Sequence, residues 1–104
     1  MTPPTKMLII FVDESDQYDE LPLYEAILRR LVQFEIAGAT VQMGVMGFGS
    51  HHRIHRKRLF GVSDDRPVTI IVVDEEAKLR KAIPEIRPLV REGLLLLSNV
   101  EVIP

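Results

Sequence analysis

The 104-residue chain contains no cysteine, which excludes disulfide bonds, thiolate catalysis and zinc sites with cysteine ligands. It has no apolar run near the roughly 20 residues of a membrane-spanning helix, and its first residues lack the basic and apolar regions of a secretory signal. These absences predict a cytoplasmic protein. The length suits a single domain over residues 1–104, and the apolar share of 46% favours a folded chain over a disordered one.

Charge of one sign is missing from a long central stretch. No aspartate or glutamate occurs from Ile36 to Ser63, whereas five acidic residues crowd the acidic segment (residues 13–20). Opposite charges are thus sorted into separate parts of the chain. The formal net charge of −2 does not favour a nucleic-acid partner for the chain as a whole.

Short apolar runs rich in strand-forming residues predict the strands. They are expected at residues 7–12, 40–46 and 67–73, and at 94–97 with 100–103 as one strand or a pair. Gly44 inside the second run predicts a bulge or a close backbone approach. The first and third runs are apolar throughout, so they indicate strands with large apolar residues on both faces.

Two helices are predicted between these strands. Apolar residues at helical spacing favour a first helix over about 21–37, with Pro22 in its first turn and Gly38 as its stop. The second helix follows the third strand. Asp74 is its expected cap, and Gly93 is its expected end. Pro84 and Pro88 lie inside it and predict a kink or a break. The order of elements is therefore β-α-β-β-α-β.

This order predicts an α+β fold, a ferredoxin-like sandwich in which a four-stranded antiparallel sheet carries both helices on one face. Right-handed crossovers make the first two strands parallel, with the third between them. The acidic segment, the basic loop after the second strand (residues 47–66) and the turn at Gly93 then share one end of the sheet. The other face stays apolar, and a partner subunit is its simplest cover, so a homo-oligomer is expected. Residues 1–5 are predicted to be a flexible lead-in.

The basic loop begins with GFGSHHRIHRKR at residues 47–58, in which two glycines precede three histidines and four cationic side chains. Gly47 and Gly49 allow a ligand to approach backbone N–H groups, and the arginines favour an anion such as phosphate. The histidines offer a metal site instead, although the neighbouring cations oppose a divalent charge. A nucleic-acid interface is disfavoured because residues 51–58 contain no aromatic side chain for base stacking. The loop also lacks the pattern of a P-loop.

At these residues the chain resembles the PII signalling superfamily. A strand running into Gly-Phe-Gly, a long loop and then RPVTIIVVDEE carry the likeness. More closely, PLYEAILRRL, AGATVQMGVMGFG, IHRKRL and VEVI resemble the PII-like family called domain of unknown function 190, over about residues 6–103. PII proteins continue Gly-Phe-Gly with arginine and glutamine, whereas Ser50 and His51 stand here, and the loop has no tyrosine for uridylylation. Sensing of ATP plus oxoglutarate in the PII manner is therefore disfavoured.

The resemblance implies a homotrimer that binds a small anionic ligand, an adenine nucleotide, in clefts between subunits. It also implies signalling to another protein through a mobile loop after the second strand, with a membrane transporter such as a fluoride exporter as a partner. The residues expected to bind the ligand are Gly47, Phe48, Gly49, Ser50, His51, Arg53, His55, Arg56 and Arg58.

Two alternatives stay open. The first is a divalent-metal-binding trimer similar to the CutA proteins, with His51, His52 and His55 as ligands. The second is a structural adaptor of a membrane transporter that senses no small molecule. The acidic segment is expected to be a solvated loop that caps the first helix or pairs with the basic loop across a subunit boundary. No convincing nucleophile and no fixed Ser/His/acid arrangement is found, so an enzyme is not expected.

Overall fold

The computed structural model describes residues 3–48 and 65–104, together with the backbone of residues 55–56. The chain is an α+β structure with a four-stranded sheet, two helices and two small ribbons. The elements in chain order are β1 (Thr5–Asp13), β2 (Gln17–Tyr18), β3 (Leu21–Pro22), α1 (Leu23–Gln33), β4 (Ala39–Met43), β5 (Met46–Gly47), β6 (His55–Arg56), β7 (Pro67–Glu75), α2 (Glu76–Ile86), a 3₁₀ turn (Arg87–Leu89) and β8 (Leu94–Asn99).

The main sheet has the strand order β4-β7-β1-β8, and every neighbouring pair is antiparallel. Because β7 lies antiparallel to both β1 and β4, those two strands are parallel to each other with β7 between them. This is the ferredoxin-like arrangement, and the prediction from the sequence is confirmed. The expected strand at 100–103 is wrong, since β8 ends at Asn99 and residues 100–104 have no regular structure.

The core lies between the helices and one face of the sheet. Alternate residues of β1 and β7 point toward the helices, and the pairs Leu8↔Val72 and Ile10↔Ile70 lie directly opposite each other. The largest fully buried side chains are Leu8, Ile10, Ile27, Ile70, Leu79, Ile86, Val68, Val72 and Val90. No buried polar or charged residue is found among the described residues. The two helices therefore cover this face by apolar packing alone.

The other face of the sheet, the open face, is also rich in apolar side chains. They come from the intervening positions of β1, β7 and β8 and are half-buried or exposed: Met7, Ile9, Phe11, Ile71, Val73, Leu94 and Leu96. Phe11 is 40% exposed, Leu96 44% and Leu94 53%. On β4 the open face is polar, with Thr40 opposite Ile71. No described element of the same chain covers these residues.

Helix α1 is shorter than predicted at both ends. Pro22 is its N-cap residue rather than part of its first turn, and Leu23 begins the helix. At the other end Glu35 adopts φ 57°, and the N–H groups of Glu35 and Ile36 donate to the carbonyls of Val32 and Leu31. This pair of bonds is a Schellman motif. The helix therefore ends at Gln33, with Phe34 as its C-cap and Glu35 in the left-handed position after it, and Gly38 as its stop was wrong.

Helix α2 also begins differently from the prediction. Glu75 is its N-cap residue, and Asp74 accepts a hydrogen bond from the Ala37 N–H (2.9 Å) instead of capping the helix. Pro84 lies on the solvent side inside α2, where water can solvate the carbonyl that its ring leaves free. The helix changes to a 3₁₀ turn at Arg87, next to Pro88, so the predicted break is confirmed there. Within the described parts of the chain, neither helix is long and apolar enough to cross a membrane.

A candidate ligand site at one end of the sheet

Three segments meet at the end of the sheet where β1 and β4 finish. Asp13, the last residue of β1, is paired with Pro67, the first residue of β7, and Met43 of β4 is paired with Val68. Phe11 is paired with Leu94 at the start of β8. The acidic segment, the two ends of the basic loop and the turn before β8 therefore lie side by side. Their predicted proximity is confirmed.

Gly44 and Gly47 both pack against Pro67. A Cβ atom on Gly44 would lie 2.6 Å from Cγ of Pro67, and the Gly44 N–H donates to the Pro67 carbonyl at 2.6 Å. A Cβ atom on Gly47 would lie 3.2 Å from the same Cγ atom. The close approach predicted at Gly44 is confirmed. At Gly47 this contact gives a structural reason for glycine that is independent of any ligand, and its role as a donor to an anion stays a prediction.

The basic loop turns back on itself just beyond this contact. The backbone of β6 pairs antiparallel with β5, with His55 opposite Gly47 and Arg56 opposite Met46. Phe48 is 71% exposed beside this ribbon. The ribbon could not be predicted from the sequence, because its strands are only two residues long. The other predicted site residues lie outside the described residues, namely Gly49, Ser50, His51, His52, Arg53 and Arg58.

The far end of the basic loop is joined to the acidic segment by a cluster that we call the clasp, formed by Glu14, Ser15, Asp65 and Arg66. The Glu14 N–H donates to the Arg66 carbonyl at 2.9 Å, and the Arg66 guanidinium donates to both Glu14 carboxylate oxygens, Nε at 3.0 Å and Nη2 at 2.7 Å. The Ser15 N–H and hydroxyl donate to the two oxygens of Asp65 at 2.7 and 2.6 Å. The hydrogen bond to Glu14 raises the pKa of Arg66 above its usual value. The pairing expected across a subunit boundary is thus formed within one chain.

The remainder of the acidic segment is a β-hairpin. Strands β2 and β3 are joined by Asp19 and Glu20, whose φ angles of 52° and 67° make a two-residue turn with both centres left-handed. The segment caps the start of helix α1 through its backbone, since the Leu23 N–H donates to the Asp16 carbonyl at 2.7 Å. The N-cap residue itself makes no side-chain capping bond. Nine residues (14–22) separate β1 from α1, longer than most such connections, which was the one available indication of extra structure.

An open cleft of about 690 Å³ lies between this hairpin and the turn before β8. One wall is formed by residues 16–19 with Leu23, and the other by residues 88–93. Its charged lining residues are Asp16, Asp19, Arg91 and Glu92. Gly93 closes the turn tightly, since a Cβ atom there would lie 2.1 Å from the Phe11 carbonyl oxygen. Sequence reasoning placed the turn at Gly93 at this end of the sheet but missed the cleft, because the hairpin that forms its wall was not predicted.

The chemistry of the described residues gives no metal centre. No group of three or more His, Asp or Glu side chains suited to a metal ion occurs among residues 3–48 and 65–104. The three histidines of the metal alternative fall outside these ranges, apart from the backbone of His55. In the described residues, this end of the sheet carries the β5–β6 ribbon on one side, the clasp in the middle and the polar cleft on the other side.

Comparison with known proteins decides the family. The model of DUF190, described as an uncharacterised ACR family, matches residues 5–102. This chain belongs to the DUF190 family. A UPF0166 protein of Aquifex aeolicus is 34% identical over 98 residues, covering 94% of this chain and 92% of that one. The resemblance read from the motifs around Gly-Phe-Gly is therefore confirmed for nearly the whole chain.

The fold of this DUF190 chain is similar to the folds of solved PII-like and CutA1 structures. CPII of Thiomonas intermedia K12, a nitrogen regulatory PII-like protein bound to ADP, AMP and bicarbonate, has a TM-score of 0.71 at 20% identity, covering 95% of this chain and 88% of that one. The divalent ion tolerance protein CutA1 of Ehrlichia chaffeensis has a TM-score of 0.64 at 12% identity, covering 100% and 88%. At these identities the likeness shows the fold.

Proposed function

We propose that this protein is a homotrimeric PII-like regulator that binds a small anionic ligand, an adenine nucleotide, at its subunit clefts. Ligand binding orders the basic loop, and the ordered loop presents or hides a surface for a partner protein. The role is regulatory rather than enzymatic. A membrane transporter such as a fluoride exporter is the partner that we propose, and the protein would meet it from the cytoplasm.

The observation that carries the proposal is the β5–β6 ribbon. It turns the chain back at Gly47 so that the backbone of His55 and Arg56 lies beside the glycine. In sequence this return is the centre of a stretch with four cations and no acidic residue. A backbone return of this kind, in a segment whose sequence supplies several arginines, favours phosphate oxygens, which arginine binds through two parallel hydrogen bonds.

The adenine nucleotide is supported by the fold relationship to CPII, which carries ADP and AMP. The residues proposed to neutralise the phosphates are Arg53, Arg56 and Arg58, while Gly47 and Gly49 supply backbone donors. We propose that Ser50, His51 and His55 add polar contacts, together with Phe48, whose side chain is exposed. The cleft between the hairpin and residues 88–93 opens at the same end of the sheet.

Self-association is supported by the open face. Seven large apolar side chains of β1, β7 and β8 face away from the helices, and no described part of the chain covers them. A contiguous apolar surface of this kind in a soluble protein is usually an interface. Three copies that bury this face against one another would bring their sheet ends together and form clefts between subunits.

The test is thermal unfolding of the purified protein with ADP, AMP, ATP and divalent metal ions, each alone. Ligand at a hundred times its Kd adds about 2.7 kcal/mol to the free energy of unfolding, which raises the midpoint visibly. We expect a shift with at least one adenine nucleotide that Arg53→Ala or Arg56→Ala abolishes. Arg29→Ala is the matched control, because Arg29 is an exposed arginine on α1 that pairs with Glu25 at 2.9 Å.

Other outcomes of the same experiment would contradict the proposal. A shift with a metal ion alone, lost when His51, His52 and His55 are replaced by alanine, would indicate the CutA-like alternative. No shift with any of these ligands would leave a protein that acts through protein contacts only, as the structural adaptor would. Equal loss of the nucleotide shift in Arg29→Ala would show that the arginine variants act through general destabilisation.

A further inference from the structure

The clasp lies beyond the last rung of the main sheet. The ladder between β1 and β7 ends with the pair Asp13↔Pro67, and the clasp continues from there with polar contacts only. Ser15 is exposed and Asp65 is half-buried, and the side chains of Glu14 and Arg66 are each 26% exposed. Exposed hydrogen bonds and ion pairs are individually weak because water replaces them readily. The clasp can therefore open while the sheet stays folded, as local openings do where little apolar surface is buried.

The same four-residue turn that holds one side of the clasp also forms part of the cleft. The Asp13 N–H donates to Oδ2 of Asp16 at 2.9 Å, and the Asp16 N–H donates to the Asp13 carbonyl at 3.1 Å. Glu14 and Ser15 therefore lie between Asp13 and Asp16, which are joined by two hydrogen bonds. Asp16 also lines the cleft and accepts the Leu23 N–H at the start of α1. A change at Asp16 in the cleft is therefore transmitted directly to the backbone of Glu14 and Ser15.

From this arrangement we infer that the clasp is a releasable joint that couples the cleft to the basic loop. A contact that shifts Asp16 opens or tightens the clasp. The clasp in turn determines how firmly Asp65 and Arg66, the last residues of the basic loop, are held to the sheet. The inference deepens the proposed function, on which its meaning for signalling rests. It names the regulated contact, and the ligand is not needed to test it.

The first test exchanges the charges of the clasp and measures trypsin cleavage in the basic loop. The loop sequence offers Arg53, Arg56, Lys57 and Arg58, and Arg66→Glu removes no cleavage site because the Arg66–Pro67 bond resists trypsin. Glu14→Arg adds a site before Ser15, so fragment masses are used to count cleavage within the basic loop alone. Under conditions where opening is fast, the cleavage rate follows the population of the open form. We expect Glu14→Arg and Arg66→Glu each to raise the rate about tenfold, and the double exchange to return it to within about twofold of the wild type.

A matched control separates this effect from a general loss of stability. Arg29→Glu makes the same chemical change at an exposed ion pair on α1 and should leave the cleavage rate unchanged. If a charge variant lowers the thermal midpoint, Ser15→Ala decides the question, because it removes only the 2.6 Å hydroxyl contact with Asp65. Cleavage that is unchanged in all three clasp variants, or that the double exchange fails to restore, would overturn the joint.

The second test examines the coupling from the side of the cleft. Asp16→Ala removes the acceptor of the Asp13 N–H without touching Asp65 or Arg66, and it should raise cleavage of the basic loop. In the Arg66→Glu background the same change should have no further effect, because the joint is already open. Additive effects would mean that cleft and loop are not coupled through the clasp. A failed nucleotide titration would remove the proposed ligand and leave both cleavage results standing.

Discussion

The two faces of the main sheet are built from alternate residues of the same strands, yet their surroundings differ completely. Ile70 points toward the helices and is fully buried, whereas its neighbour Ile71 points to the open face and is only half-buried. Similar residues therefore occupy both faces, although one chain supplies cover for just one of them. An uncovered apolar face of this kind is typical of an interface, which is why we propose that copies of the chain associate through it.

The comparison also separates stability from assembly. Packing on the helix face is satisfied within one chain and contributes to folding at any protein concentration. Packing on the open face contributes only when copies associate, so its contribution depends on concentration. Substitutions at neighbouring positions of a strand should therefore have different effects: one lowers the stability of the single chain, and the other weakens association.

The largest effect is expected on the helix face. Ile70→Ala removes fully buried atoms opposite Ile10 and leaves a cavity that close-packed neighbours cannot fill, at a cost of about 3–4 kcal/mol in the free energy of unfolding. Ile71→Ala is the matched control, with a smaller cost that grows with protein concentration. Urea unfolding followed by circular dichroism at several concentrations measures both. Equal, concentration-independent costs would contradict the distinction between the faces.

A charge on the open face should break assembly and spare the fold. Leu96 is 44% exposed on β8, and Leu96→Asp would place a carboxylate in the proposed interface. We expect self-association to weaken about a hundredfold, equivalent to about 2.7 kcal/mol, with unchanged circular dichroism. Light scattering across a dilution series measures this. Val32→Asp is the control, since Val32 is 75% exposed on α1, away from the open face, and association should survive it.

The positions of the main strands could be predicted because long apolar runs leave little choice about where a chain is buried. The ends of the helices could not. Gly38 looked like the stop of α1, but Glu35 takes the left-handed position because its N–H and that of Ile36 bond back to α1. The hairpin at Asp19 and Glu20 was missed because Glu20 occupies the second turn position, where glycine is the usual signal.

The candidate site was predicted in part, and the physical reason lies in what its residues contact. The meeting of three segments at one end of the sheet follows from strand order alone, so it could be derived from the sequence. The clasp could not, because Ser15 and Asp65 stand 50 residues apart and form no pattern that a single sequence displays. The predicted contacts of Arg53 and Arg58 with a ligand stay predictions.

The carboxylate of Asp74 accepts hydrogen bonds whose contribution to the free energy of unfolding depends on pH. Asp74 is partly buried, which opposes its ionisation, but hydrogen bonds from the N–H groups of Ala37 and Glu75 and from Lys78 outweigh this and hold its pKa below the usual value. A lowered pKa means that the stabilisation is complete above the unfolded-state pKa of about 3.9 and is lost as the pH falls through the folded-state value. Asp74→Asn should cost about 1–2 kcal/mol at pH 7, from lost charge-assisted hydrogen bonds.

Urea unfolding of Asp74→Asn from pH 7 to pH 2 checks this expectation. The difference from the wild type should shrink steadily below about pH 4 as the wild-type carboxylate takes up its proton. Glu75→Gln is the control, because the side chain of this exposed neighbour makes no capping bond to α2. A difference that stays constant over the whole range would show that the effect of Asp74→Asn is steric.

The smallest effect should be a gain, at the end of the helix that covers the core. Glu35 is exposed and holds φ 57°, a conformation that costs little for glycine and more for residues with a Cβ atom. Glu35→Gly should therefore add about 0.5–1 kcal/mol to the free energy of unfolding, measured by the urea midpoint. Glu25→Gly makes the same chemical change inside α1, where glycine is unfavourable and the pair with Arg29 is lost, so it should destabilise by about 1 kcal/mol. Opposite signs for one substitution in one helix would show that backbone conformation, rather than loss of a carboxylate, decides where α1 ends; a loss at both positions would refute it.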